Sequence, residues 1–357
     1  MSRQSRARTR PSRSIRQIHA IRAVAALAAL STVAVAASAS ATAPGTNGRI
    51  AYVVPVAHMH HTTFAIAAVN ADGSGARRLS HPRDGVLDER PDWSPDGSKV
   101  AFERCAARCA IYTVNADGTG LRRVGPDCGR RLPPACEDRG APAWSPDGRT
   151  IAFTRSWGPV KRKRIAHAEL YAMRASGGRV RRITRLTAAK PYSVDPGRAT
   201  WSPDGTRLAF GVDKRATGTG LFVVNADGSG LKRLTAWTLR AGEHPDFSPD
   251  GERILFGAGS RGEQDRGGNL YAIRPDGSGV VKLTQSGRRG IVSAGSFAPA
   301  GGQLTFATLP PDDAFATSLF VSDTDGTSAR QVANTAFARQ PDWGPLPSPS
   351  RGERATP

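Results

Sequence analysis

The sequence predicts an all-β protein, a β-propeller of six four-stranded antiparallel blades, and three observations predict it. An aromatic-Ser-Pro-Asp-Gly phrase recurs along the 357-residue chain, each copy is followed by the same succession of short apolar strands and Asp-Gly turns, and the first unit lacks the aromatic strand with which the last one ends. A fixed period near this length marks one repetitive architecture in place of several unrelated domains.

The phrase reads "PDWSPDG" at 91–97, "PAWSPDG" at 142–148, "ATWSPDG" at 199–205 and "PDFSPDG" at 245–251, with decayed forms "GSFAPAGG" at 295–302 and "PDWGPLP" at 341–347. Its aromatic residue falls at 93, 144, 201, 247, 297 and 343, in steps of 51, 57, 46, 50 and 46. After it come strands such as "KVAFE", "TIAFT" and "RILFG", then "IYTVNADG"- or "LYAIRPDG"-like strands with their turn, then a short basic strand such as "LRRVG" or "LKRLT". The turn letters have a conformational cause. Pro presets φ at the first turn position, Asp bonds its own backbone and Gly accepts the left-handed conformation, so Ser-Pro-Asp-Gly and Asn-Ala-Asp-Gly close tight hairpins. The strands are apolar on both sides, as strands sandwiched between neighbouring blades require.

The ends predict closure. "GRIAYV" (48–53) opens the first unit with no aromatic strand before it, while "PDWGPL" (341–346) has no unit after it. Residues 341–346 are therefore expected to supply the innermost strand of the blade built from 48–80. The propeller is placed at 48–346, and 347–357 is expected to be a disordered tail.

Residues 1–41 read as an export signal: seven Arg and no acid, the apolar run "AVAALAALSTVAVAA" (23–37), then small residues that suit cleavage after Ala39 or Ala41. Fifteen mostly Ala residues fall short of the ~20 that a spanning helix needs, and no later segment is long and apolar enough. The mature chain is expected to be exported, to the periplasm, cell envelope or exterior, with no transmembrane span and as a monomer. The formal charge of +20 over the full 357 residues invites a nucleic-acid reading. Much of the basic charge falls on the exposed outer strands, where Lys and Arg discourage edge pairing, and no recognition helix or aromatic-basic module is present. An envelope protein or an anionic cell-surface polymer is the expected partner, and nucleic acid is not.

The repeat resembles the TolB-like propeller family, named for the periplasmic component of the Tol–Pal envelope system. The W-S-P-D-G, I-A-F, I-Y, D-G and L-T elements carry the resemblance over residues 48–346. It implies a six-bladed fold and a binding or scaffold role. In TolB an α/β domain precedes the propeller, whereas here a handful of residues separates the apolar segment from the first strand, so no partner-binding residue is carried over.

Propeller geometry places the Ser-Pro-Asp-Gly and Asp-Gly turns on one face of the disc. The loops of variable length all fall on the other, the expected recognition face. It holds the histidines 58, 60, 61, 81, 167 and 244. His58, His60 and His61 in "HMHH" are candidate ligands for a transition metal, against the plainer reading of polar loop residues. Calcium is a second idea, because "NADGSG" and "DTDGTS" echo part of a calcium loop, but they lack its closing acid. No cofactor is predicted outright. Asp92, Asp246, Asp342 and His244 are candidate binding residues at the channel mouth; the alternative for the three Asp is satisfaction of backbone donors in the inner strands. Cys105, Cys109, Cys128 and Cys136 suggest disulfides in an exported chain, with Cys105–Cys109 and Cys128–Cys136 preferred because each pins one loop; a zinc site is the rival. No G-x-S-x-G, phosphate-loop, H-E-x-x-H or dinucleotide motif is present. A non-catalytic binding module is the expected function. The alternatives are a metal-assisted hydrolase or lyase, or a small-ligand sensor, with its site at the channel mouth.

Overall fold

The computed structural model describes residues 42–56, 63–106, 108–125, 138–157, 167–186, 192–194, 198–214, 218–259, 268–285, 291–309 and 316–347. They form a ring of six antiparallel blades. The first blade contains β1 (Asn47–Val56), β2 (Thr63–Val69) and β3 (Arg77–Arg78). Next come β4 (Leu87–Trp93), β5 (Lys99–Cys105), β6 (Cys109–Asn115) and β7 (Arg122–Val124), then β8 (Asp138–Trp144), β9 (Thr150–Trp157), β10 (His167–Arg174) and β11 (Val180–Arg182). In the fourth blade the inner strand is broken into β12 (Tyr192–Val194) and β13 (Thr200–Trp201), both paired with β14 (Arg207–Lys214), which pairs with β15 (Gly218–Asn225) and through it β16 (Lys232–Arg233). The fifth blade is β17 (Ala241–Phe247), β18 (Ile254–Ala258), β19 (Asn269–Ile273) and β20 (Val281–Lys282); the sixth is β21 (Ile291–Phe297), β22 (Gln303–Leu309), β23 (Ser318–Asp323) and β24 (Arg330–Gln331).

The carboxy-terminal strand closes the ring. β25 (Arg339–Pro345) pairs antiparallel with β1, setting Ile50 opposite Trp343 and Ala51 opposite Asp342. Trp343 is 2% exposed and packs with Ile50 of the first blade and Leu319 and Val321 of the sixth, so the first and last thirds of the chain share one core layer.

Why the strands are apolar on both sides is now explicit. The core is divided into six layers, each between two neighbouring blades. In β5, Val100 and Phe102 point into the layer shared with the first blade, while Ala101 points into the layer shared with the third. Alternation along the strand therefore serves two interfaces, and the small residue lies where the next blade's Trp144 arrives.

The turns behave as their letters require. In Ser94–Gly97 the Gly97 N–H donates to the Ser94 carbonyl, and Asp96 Oδ1 accepts from Ser94 Oγ and the Ser98 N–H. In Asn115–Gly118 the Asp117 carboxylate accepts from the Thr119 N–H and hydroxyl. The calcium candidates behave alike: in the two "NADGSG" copies Asp72 and Asp227 accept the N–H of Ser74 and Ser229, and in "DTDGTS" Asp325 accepts the N–H of Thr327, each within its own turn. Gly228 has a second constraint beyond its φ of 95°: a Cβ there would meet the Ile183 carbonyl oxygen of the preceding blade at 2.4 Å.

The basic outer strands do more than discourage edge pairing. Arg122 donates to the Ala175 carbonyl at 3.2 Å, Arg181 to Ala226 at 2.7 Å, Lys232 to Asp276 at 2.8 Å and Arg330 to Ala71 at 2.9 Å, and Arg77 reaches the Asp117 carbonyl in the same way. Each cation thus reaches from one blade to the turn before the outer strand of the next, an Asp-Gly turn in all but the third blade, which has Ala175-Ser176-Gly177. The Thr or Ser after the outer strand has its own task. Ser80, Thr184, Thr235, Thr284 and Thr335 each accept the N–H of a residue in the third strand of their blade: Ile66, Leu170, Leu221, Leu270 and Leu319.

Candidate functional site, the central channel

The inner strands carry the channel lining, and a backbone device shapes it. Arg90, Ala141, His244 and Gln340, each three residues before the aromatic and directly before a Pro, have φ values of 55°, 50°, 43° and 52°. Left-handed backbone is uncommon for residues other than Gly, and here it accompanies a register shift: between Glu89 and Asp92 in β4, Gly140 and Ala143 in β8, and Glu243 and Asp246 in β17. The bulge sets the following Asp one residue before the aromatic, in position to reach the adjacent blade.

Those aspartates latch the blades together. Asp342 Oδ2 accepts the Trp93 N–H at 2.7 Å, Asp92 Oδ2 the Trp144 N–H at 2.7 Å, and Asp246 Oδ2 the Phe297 N–H at 2.8 Å. In the sixth blade Ser296 takes the role, its Oγ accepting the Trp343 N–H at 3.1 Å. The third blade has Ala143 at this position, and there the Trp201 indole N–H donates to the Ala143 carbonyl at 3.1 Å. Hydrogen bonds to a carboxylate in a dry interior are stronger than neutral ones, which suits a ring in which strand pairing between blades is confined, among the described residues, to Phe64 of β2 opposite Leu87 of β4.

The remaining oxygen of each Asp faces a residue that sequence reasoning missed. Arg198, on the segment between β12 and β13, is 6% exposed. Its Nη2 lies 2.7 Å from Asp342 Oδ1 and 3.6 Å from Asp246 Oδ1, its Nε lies 3.6 Å from Asp92 Oδ1, and its Nη1 donates to the Pro91 carbonyl at 3.1 Å. One guanidinium from the fourth blade therefore joins carboxylates of the first, second and fifth across the axis. Burial opposes the charge of Arg198, but Asp342, Asp92 and Asp246 together hold its pKa above the ordinary value. On the acids, burial dominates: it pushes Asp246 up to about 6 and Asp92 well above the carboxylate range, with Arg198 pulling both down and neighbouring carboxylates pushing both up.

His244 is the fourth channel candidate brought to this site. Burial, with Arg90 and Arg198 nearby, pushes its imidazole down to about 3, so it is neutral at physiological pH. Around it, Arg90 pairs with Glu103 at 2.5 Å, Glu103 also accepts the Ala141 N–H at 3.0 Å, and the Arg90 N–H donates to Gln340 Oε1 at 2.9 Å. Arg339 pairs with Glu89 at 2.6 Å and lies over the Phe64 ring, 3.7 Å from its centroid. Polar groups on the loop side of the channel are thus interlocked from blade to blade.

The other candidates scatter. His58, His60 and His61 lie outside the described residues, as do Cys128 and Cys136. His81 is exposed in the connection from β3 to β4, and His167 opens β10. Cys105 and Cys109 form a disulfide at the tip of the β5–β6 hairpin. Glu103 sits beside them, but sulfurs bonded to each other are not available as thiolate ligands. Among the described residues no helix is long and apolar enough to cross a membrane.

Comparison with known proteins matches this architecture. The model of the TolB beta propeller domain matches residues 45–347. A protein named as a TolB homolog from Chlorobium luteolum is 33% identical over 148 residues, covering 41% of this chain and 30% of its own length. An uncharacterised peptidase from Bacillus subtilis is 26% identical over 205 residues, 47% of this chain and 29% of its own. The chain thus spans less than a third of the curated relatives it matches. Among solved structures, TolB from Acinetobacter baumannii superposes with a TM-score of 0.64 at 24% identity, covering 84% of this chain and 67% of that one. A TolB from Agrobacterium tumefaciens gives 0.57 at 20% identity over 80% of this chain and 89% of that one. With a family match over most of the ring and the same fold in both solved proteins, the chain belongs to the TolB β-propeller domain family.

Proposed function

We propose that this propeller is an exported binding or scaffold module of the cell envelope, and that it engages a protein partner through its loop face. The observation that carries the reading is the state of the channel. Asp92, Asp246 and Asp342 are each held by a backbone N–H and by Arg198, so the carboxylates best placed for acid–base or metal chemistry are engaged as structural latches. Recognition then falls to the variable loops, which a rigid ring holds in place. The clasped outer-strand cations favour a protein over an anionic polymer, because Arg122, Arg181, Lys232 and Arg330 donate to neighbouring turns.

Crosslinking in intact cells tests this. Capture of a defined protein by the intact propeller, lost when loops 55–63 and 156–168 are shortened, is the expected result; capture of the same protein by both forms refutes the loop-face assignment. A second reading, an accessory propeller of a hydrolase, draws on the match to the Bacillus subtilis protein named as a peptidase. It predicts near-stoichiometric transition metal in tag-free protein, lost on replacing His58, His60 and His61, or hydrolytic activity in the purified chain.

A further inference from the structure

The segment preceding β1 places Thr42 inside the channel. Thr42 is 4% exposed, and its hydroxyl donates to Asp246 Oδ2 at 2.8 Å. Between Thr42 and β1 the backbone is tied down twice, the Gly45 N–H donating to the Pro299 carbonyl at 3.1 Å and the Thr46 carbonyl accepting the Leu346 N–H at 2.9 Å, and at the start of β1 the Asn47 side chain accepts the Ala300 N–H through Oδ1 at 2.8 Å. Pro299 and Ala300 belong to the turn within the aromatic phrase of the sixth blade. The segment therefore crosses the turn face and enters the channel opposite the loop side from which Arg198 comes. Asp246 is held from both ends, with Arg198 and the Thr200 hydroxyl at Oδ1, and Thr42 and the Phe297 N–H at Oδ2.

Arg198 is one cation shared by three buried acids. Burial holds Asp92 well above the carboxylate range and Asp246 at about 6, so a second cation beside Asp246 would favour its ionised form. The α-nitrogen of Thr42 is only three covalent bonds from the hydroxyl oxygen that touches Asp246. Immediately before it the sequence reads Ala39-Ser40-Ala41, small residues at the two positions an export protease reads. We propose that the chain is processed between Ala41 and Thr42, and that the α-ammonium released there is the channel's second cation, paired with Asp246.

The step is a peptide hydrolysis. The oxygen of water joins the Ala41 carbonyl carbon, the bond from that carbon to the Thr42 nitrogen breaks, and the two water hydrogens end on that nitrogen, leaving a carboxylate on Ala41 and an ammonium on Thr42. Cleavage after Ala39, the other site the leader offers, would leave the amine two residues away from Asp246. With an amide at Thr42, burial keeps the Asp246 carboxyl at about 6, and an ammonium beside it draws that value down.

The inference rests on the export reading of residues 1–41, and its test separates the two. Intact-mass analysis of protein purified from producing cells should give a chain beginning at Thr42. At pH 7 an amine-reactive reagent should label that terminus at least about tenfold more slowly in the folded protein than in denaturant, since an ion pair that raises the amine pKa by one unit cuts the free amine tenfold. Asp246→Asn should restore fast labelling, and one extra Gly before Thr42 should lower the Tm in the wild type but not in that variant. A mature terminus elsewhere overturns the inference and leaves export standing. An uncleaved chain overturns both, and a Thr42 amine labelled equally fast in folded and denatured protein overturns the counter-ion role.

Discussion

Replacing Arg198 by Met keeps most of the side-chain stem and deletes the charge, so it isolates the electrostatic link across the channel. Arg198 is 6% exposed and lies 2.7 Å from Asp342 and 3.6 Å from both Asp92 and Asp246. Removing one partner of a buried ion pair costs about 3–5 kcal/mol, because the charge left behind has lost both water and its counter-ion. At roughly 2–4 °C per kcal/mol for a chain of this size class, that is a fall in Tm of about 6–20 °C. Asp92 and Asp246, already raised by burial, can accept protons, so the loss should be larger at pH 7 than at pH 4.5. Thermal melts of R198M, D342N and the double variant at both pH values measure the coupling. The double variant should melt well above the sum of the two losses, because D342N removes one of the stranded charges. A fall below about 2 °C for R198M, or strict additivity, would refute the view that one guanidinium links three blades.

The channel also sets a pH dependence whose two contributions oppose each other. Asp246 is raised in the folded state to about 6, so the native protein holds more protons than the unfolded chain between about pH 4 and 6, and its contribution falls as pH rises through that window. His244 is depressed to about 3, so its contribution is lost as pH falls below about 6.5. H244Q should therefore be relatively more stable than wild type near pH 4, and D246N relatively more stable near pH 6.5 than near pH 4, in chemical melts across this range. Deleting 341–357 removes most of β25 with Trp343 and should abolish cooperative unfolding of the ring, while deleting 348–357 should leave Tm unchanged; calorimetry distinguishes them. The Cys105–Cys109 bond closes a five-residue hairpin tip, so C105S/C109S should cost at most about 2 kcal/mol by the chain-entropy relation, measured as a shifted urea midpoint at constant m-value.

Much of the ring could be read from the sequence because each blade repeats the same local chemistry. Gly announces the tight turns where φ is positive, although the left-handed Arg90, Ala141, His244 and Gln340 of the bulges carry no such letter. β1 and β25 announce closure because each lacks the complement that the other provides. Arg198 was missed for the converse reason. The copy in the fourth blade, "GRATW", departs from the Pro-Asp-aromatic phrase, and its inner strand is broken between Val194 and Thr200. Aligning the copies on their aromatic residue would have found it: the position three before reads Arg90, Ala141, Arg198, His244, Ala294 and Gln340, where a second basic residue stands out. The three acids were legible as inner-strand residues, but not as latches. Their partners, Trp93, Trp144 and Phe297, lie some fifty residues on or across the closure, and only blade-to-blade placement reveals them. Basic outer strands read first as edge protection, because the carbonyls they clasp carry no sequence signature. The variable loops resist prediction altogether, since no copy resembles another.

Photo-crosslinking from single positions in living cells tests the central claim most directly. A crosslinking residue is placed at exposed loop-face sites, Arg83 or Thr238, and at exposed turn-face sites, Asp117 or Asp227. Adducts to one defined protein from the loop-face positions alone are the predicted result. The same adducts from the turn-face positions alone, with the loop face silent in folded protein, would contradict the assignment of recognition to the variable loops.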